Sequence, residues 1–266
     1  MKNRIESTII ITAENQERFI ERCIKSCLNQ SVKNIEIIII FTKLKNINSL
    51  KRRYLSENIV FLNIPKKINK PTQDQLFKIK QGLLISRGKY IFLLDGDDTY
   101  KKNKVKEAIN SIKDKKVLFL DNYENNKNDI KQINKVRGFK ETNLYKTLIN
   151  AWPKGVCTSC IVLNRELLNE FFKKIKIKKF NYLAIDILLT IYCDIKYMVI
   201  KSTKTLTKKY YVKNSVDSSY VGFFNKYYWF RRSEQHDFYT YINKSTKLNL
   251  DFIVTKIINF LLKVLN

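Results

Sequence analysis

Short apolar runs alternate with segments of three- and four-residue apolar spacing over the first 120 residues of the chain. Thr8–Ile11 is a β-branched run that predicts a strand, and Thr12, Ala13, Glu14 and Asn15 form a polar turn that opens a helix. In that helix Phe19, Ile20, Cys23, Ile24, Cys27 and Leu28 fall on one face. Ile35–Phe41 is apolar throughout, the pattern of a central parallel strand covered on both sides. Asn58–Ile64 predicts another strand, and Leu76–Ile85 a helix that closes near Arg87 and Gly88. Lys89–Leu94 is a further apolar strand, and it stops abruptly at Asp95, Gly96, Asp97 and Asp98. Alternation of this kind predicts an α/β fold, a Rossmann-like, mostly parallel sheet with right-handed crossovers and flanking helices.

Beyond Lys101–Lys104 the pattern predicts a helix to about Asp114 and a strand at Val117–Leu120. The Asn- and Lys-rich stretch Asn122–Lys135 predicts a long loop and a subdomain edge. Trp152–Gly155 reads as a turn and Cys160–Leu163 as a strand. Arg165–Phe172 and Leu183–Cys193 read as helices, and Tyr197–Ile200 and Lys209–Val212 as two short strands. From Phe223 onward the chain is helical, aromatic and basic. Three parts are expected: residues 1–120, residues 121–222 and a C-terminal helical appendage, residues 223–266. In the appendage Leu250, Ile253, Val254, Ile257, Ile258, Leu261, Leu262 and Leu265 form an apolar stripe, suited to pack on the main domain or to lie on an anionic membrane surface. Spanning a bilayer takes about 20 apolar residues. Ile35–Phe41 is too short for this, and Phe252–Leu265 is broken by Lys256 and Lys263.

Composition narrows the chemistry. With 44% hydrophobic and 28% charged residues among 266, and only six Gly and three Pro, the chain can bury a full core. Its net charge of +27 attracts phosphates, nucleic acid or an anionic membrane, and tilts the C-terminal stripe toward membrane contact. Basic and aromatic residues are scattered along the whole chain, which argues against a specific nucleic-acid groove. Five cysteines, an odd number, fit reduced thiols and a cytoplasmic setting better than a disulfide framework. Cys157 and Cys160 form a CxxC without a second pair, so core thiols are expected rather than a zinc site. The single histidine, His236, removes Ser-His-Asp triads and HExxH sites and leaves a carboxylate as general base. The positions of the six glycines exclude GxGxxG and GxxxxGK[ST] loops.

In so basic a chain, three carboxylates within four residues at the end of an apolar strand are the leading candidate site. Ligands of open α/β sheets sit outside the carboxyl ends of strands. Close like charges need a cation or several donors to stay ionised. Mg²⁺ or Mn²⁺ held by one or two carboxylates and completed by substrate phosphate would fit, and so would an acidic turn capping the next helix.

The surrounding text resembles glycosyltransferase family 2, the inverting, nucleotide-sugar-dependent group with the GT-A fold. The resembling segments are TIIITAEN (Thr8 to Asn15), SCLNQS (Ser26 to Ser31), KNIEIIII (Lys33 to Ile40) and GLLISRGKYIFLLDGDD (Gly82 to Asp98). Weaker likeness continues in CIVLNRELL (Cys160 to Leu168) and AIDILLTIY (Ala184 to Tyr192).

The resemblance implies that Thr12, Ala13 and Asn15 line the donor base and ribose, that Asp95 lies near the ribose, and that Asp97 ligates Mn²⁺ or Mg²⁺. It implies Asp186 as the catalytic base. Lys209 and Lys213 would border a loop over the diphosphate, NSVDSSY, although lysines this common equally suit a solvated face. His236 would be either a second metal ligand, as in some relatives, or an ordinary surface or core imidazole. The acceptor implied is a cell-envelope glycan or glycolipid such as lipopolysaccharide or capsule, reached from the cytoplasm, with the enzyme peripheral on the inner face of the membrane. The chain also departs from the family. Ile40 to Leu44 lack the aspartate that commonly contacts the base, the usual A-R-N-x-G reads Lys78 to Gly82, and Ile185 replaces the acid before the catalytic aspartate. These departures leave a catalytically weak sugar-nucleotide-binding relative as the alternative. A basic nucleic-acid-binding protein is the third reading.

Overall fold

A computed structural model describes residues 5–66, 68–127, 130–135, 156–210, 220, 222, 224–246 and 248–264. One mixed sheet carries nine strands in the order β3-β2-β1-β4-β8-β6-β9-β5, with β7 paired to β6. The strands are β1 Ser7–Glu14, β2 Ile35–Thr42, β3 Ile59–Asn63, β4 Tyr90–Asp95, β5 Thr99–Tyr100, β6 Val117–Lys127, β7 Ile130–Asn134, β8 Ile161–Asn164 and β9 Met198–Tyr210. The helices, in chain order, are α1 Ile20–Leu28, α2 Ile47–Arg53, α3 Pro71–Ile85, α4 Lys104–Ile112, α5 Arg165–Lys174, α6 Ile185–Lys196, α7 Lys226–Asn243 and α8 Leu250–Val264.

The first four strands of the sheet order, β3-β2-β1-β4, are parallel throughout, as the alternating pattern predicts. β8 then pairs antiparallel with both β4 and β6. β6 pairs parallel with β9, and β9 antiparallel with β5. The isoleucine run of β2 is apolar on both faces because both faces are covered. Ile38 and Ile40 join α3, α5 and α6 on one side, while Ile37 and Ile39 join α1 and α4 on the other.

Two sequence expectations are corrected. Asn122–Lys135 is not a long loop: β6 continues through Lys127 and pairs antiparallel with β7. It also lies beside β9 from Asn122 to Asn126, so non-local pairing overrides a polar sequence. The two short strands expected near 197–212 are one strand, β9, of 13 residues. The 120/121 boundary falls inside β6. Trp152–Gly155 lies outside the described residues.

Candidate active site

The sharp end of β4 is set by close approach of β1. Thr12 pairs with Asp95, and the Gly96 amide donates to the Thr12 carbonyl at 2.9 Å. A Cβ at Gly96 would lie 3.0 Å from Ala13 Cβ and displace the Gln16 side chain, so a glycine suits this close approach to the end of β1. Asn15, just past β1, takes a left-handed conformation with φ of 52°, which turns the chain out of the sheet and into the approach to α1.

The three acids of this turn do different work. Asp98 is almost fully buried and points inward. Its Oδ2 accepts from Ser159 Oγ at 2.6 Å and its Oδ1 from the Tyr210 amide at 3.1 Å. Ser159 Oγ also accepts from the Asp95 amide at 3.1 Å, so one hydroxyl ties both acids to the turn Thr158–Cys160. Asp95 Oδ1 accepts from Gln75 Nε2 of α3 at 2.8 Å. The Asp97 carbonyl accepts from Arg22 Nη2 at 2.9 Å, and that guanidinium lies 3.4 Å from the centre of the Tyr210 ring.

These groups open on a cleft of about 470 Å³ whose walls include Thr12, Ala13, Asn15, Asp95, Asp97, Asp186 and Lys209. Seven of the residues singled out by sequence are thus brought to one place. Asp186 arrives from the first turn of α6, where its Oδ1 accepts from the Ile187 amide at 2.8 Å. Ile185, beside it, is fully buried in the core, which explains an apolar residue there. Lys213 lies outside the described residues, as does most of the loop NSVDSSY.

His236 is not at this cleft. It is buried on α7, its Nε2 3.0 Å from Asp251 Oδ2 of α8 and its ring edge-on to Phe252. Trp229 and Arg232 share its helix face as their spacing predicts, with Arg232 donating to Asp251. The cysteines are free and buried, and Cys157 and Cys160 lie 3.2 Å apart, sulfur to sulfur.

Like charges crowd the acidic turn. Burial, then the neighbouring carboxylates Asp98 and Asp97, push the Asp95 carboxyl well above the usual range, with Lys209 opposing and Asp186 adding to the rise. Burial and Asp97 push Asp98 up to about 7, against the bonds from Ser159 and Tyr210. A divalent cation would relieve this repulsion, and the oxygen-only donor set suits Mg²⁺ or Mn²⁺. Among the described residues no three His, Cys, Asp or Glu side chains are grouped so as to hold a metal ion by themselves. A cation here would need an open site, with Asp97 as protein ligand and the shell completed by phosphate and water.

Sequence reasoning missed a second charged group in this cleft. Glu14 at the end of β1 pairs with Lys66 at 2.8 Å and Lys78 at 3.6 Å, and Lys78 pairs with Asp74 at 2.7 Å. All four line the cleft. Gln75, Ser159 and Tyr210 were missed as well. A polar residue at Gln73–Gln75 in a helix with buried Leu76 and Ile79 was the available signal, and Ser159 gave none.

A mixed sheet that begins parallel, with an acid turn at a strand end and a helix-borne aspartate lining the same cleft, has the architecture of the GT-A fold. Residues 78–175 match the model of the family described as Glycosyl transferase family 2. Among solved structures it is similar to TarS 1–349 of S. aureus in complex with UDP, with a TM-score of 0.59 and 14% identity over 96% of this chain and 69% of that one. It is also similar to a longer TarS structure, at TM-score 0.60 and 15% identity, of which it spans 41% while 92% of this chain is covered. The mannosyltransferase PcManGT from Pyrobaculum calidifontis, in complex with GDP-Man and Mn²⁺, gives 0.59 and 13% over 98% and 70%. No curated protein matches the sequence.

Proposed function

We propose that the chain transfers a sugar, with inversion, from a nucleotide-sugar donor to a hydroxyl of a cell-envelope glycan or lipid-linked acceptor. The observation that carries the reading is the convergence of Asp95, Asp97, Asp186 and Lys209, distant in sequence, on one cleft. Thr12, Ala13 and Asn15 hold the base and ribose, and Asp95 the ribose side of the metal site. Asp97 holds Mn²⁺ or Mg²⁺, which when bound offsets charge on the nucleoside diphosphate. Lys209 adds a fixed cation on the diphosphate, and Lys213 is assigned the same role from sequence alone. Asp186 accepts the proton of the acceptor hydroxyl as that oxygen attacks the anomeric carbon and the nucleoside diphosphate leaves. UDP, UDP-GlcNAc and GDP-Man complexes of the similar structures support a nucleotide-sugar donor.

The test is nucleoside diphosphate release with the chain's acceptor and Mn²⁺. Asp186→Asn is expected to slow transfer by about 10²- to 10⁴-fold, the range for a positioned base, while nucleotide affinity stays as in the wild type. Transfer by Asp186→Asn at the wild-type rate removes the base assignment. Donor binding without turnover by the wild type would establish the binding-only alternative, which the absence of the base-contacting aspartate and Ile185 favours.

A further inference from the structure

α8 is inverted relative to an ordinary amphipathic surface helix. Its inward face is polar: Asp251 meets Arg232 and His236, Lys256 Nζ donates to Ser233 at 3.0 Å and Asp237 at 2.6 Å, and Asn259 donates to Ser233 at 3.2 Å. Its outward face is apolar, with Leu250, Ile253, Ile257, Phe260, Leu261 and Val264 each at least 50% exposed. Rolling the helix to bury this stripe would strip Asp251, itself only 6% exposed, of both partners. The orientation is therefore held by the polar seam, and the described residues leave the stripe exposed.

Charge selects the partner. Residues 223–266 carry seven Lys or Arg and three Asp or Glu. All three acids have partners within the chain, and Asp237 alone of them is exposed. Glu234 accepts from the Asn181 and Tyr182 amides, Asp237 pairs with Lys256, and Asp251 pairs with Arg232. Lys263 is exposed three residues beyond Phe260, hence beside the stripe, and Lys244 is exposed in the turn after α7. Two copies of a +27 chain repel one another, whereas an anionic bilayer attracts each. We propose that the outward stripe of α8 docks the chain on an anionic lipid surface, its isoleucines and leucines entering the acyl boundary while Lys263 extends toward headgroups.

The test is flotation of the full chain with vesicles of phosphatidylcholine alone and of equal parts phosphatidylcholine and phosphatidylglycerol. Wild type is expected to bind the anionic vesicles at least about tenfold better than the neutral ones. The triple variant Ile253→Ser, Ile257→Ser, Leu261→Ser, which keeps the full charge, should lose at least about tenfold in binding, since each buried aliphatic side chain contributes more than a tenfold factor. Leu55→Ser, an exposed leucine far along the chain at 85% exposure, should bind as wild type does. The altered positions are all exposed, and an unchanged thermal melt of the triple variant verifies its fold. Equal binding to both vesicle types, or wild-type binding by the triple variant, overturns the proposal. So does a wild-type dimer in light scattering that the triple variant dissolves, because a second copy would then cover the stripe.

Discussion

Ser159 is small and silent in the sequence, yet it joins Asp95 and Asp98 through one oxygen. Asp98 has both carboxylate oxygens bonded to protein, so it braces the turn, while all three acids line the cleft. Ser159→Ala should therefore destabilise the fold by about 1–3 kcal/mol, the cost of an unsatisfied buried acceptor, read in urea denaturation. It should also raise the Mn²⁺ concentration needed for half-maximal transfer, leaving the acceptor KM unchanged. Asp95, Asp97 and Asp186 were legible because acids are scarce in this chain and stand at the ends of strongly patterned elements. Ser159 and Gln75 were not, because their roles depend on approaches across 64 and 20 residues of chain that no local pattern encodes.

Elements are tied together by buried charge. Glu36 on β2, only 1% exposed, accepts from Thr8 Oγ1 of β1 at 2.6 Å, from the Arg87 amide at 2.5 Å and from Arg87 Nε at 2.7 Å. Burial pushes its carboxyl up, but the bonds from Thr8 and Arg87 outweigh it and hold the group below its ordinary value of 4.5. The stabilisation is thus fully present above the unfolded value and is lost as pH falls through the lower folded value. Glu36→Gln should reduce stability at neutral pH by about 2 kcal/mol, as for hydrogen bonds to a charged group, and flatten the acid side of the stability–pH curve. An unchanged acid slope would contradict this. Lys104 and Asp121 form a fully buried pair joining α4 to β6, and Asp121 also accepts from the Leu206 amide and Thr207 of β9. Removing either partner alone, as in Lys104→Met, should cost about 3–5 kcal/mol, measured by chemical denaturation.

The same scale explains what pattern reading missed. The apolar strands β1, β2 and β4 announce themselves because both their faces are covered. β7 (IKQIN) and the outer half of β6 (NYENNK) are mostly polar, and their strand form follows from pairing with each other and, for β6, with β9. The apolar stripe of α8 was legible, but its direction was not, since that depended on partners for Asp251 and Lys256 supplied by α7.

At the scale of the whole molecule, a parallel half supplies the strand ends that form the acid turn, and a mixed continuation brings Ser159, Lys209 and Tyr210 against it. Asp186 reaches the same cleft from the helix that precedes β9. Among the described residues no helix is long and apolar enough to cross a membrane. The central claim is that Asp97 holds a divalent cation shared with the diphosphate of a nucleotide donor. A thermal-shift panel of UDP, GDP, ADP and CDP, each with and without Mn²⁺, on wild type and Asp97→Ala, tests it most directly, because ligands that bind the native state raise its melting temperature by mass action. At least one diphosphate should stabilise the wild type only when Mn²⁺ is present, and Asp97→Ala, folded as wild type without ligand, should lose that shift. A full Mn²⁺-dependent shift in Asp97→Ala, or no shift of the wild type with any diphosphate, would contradict the account.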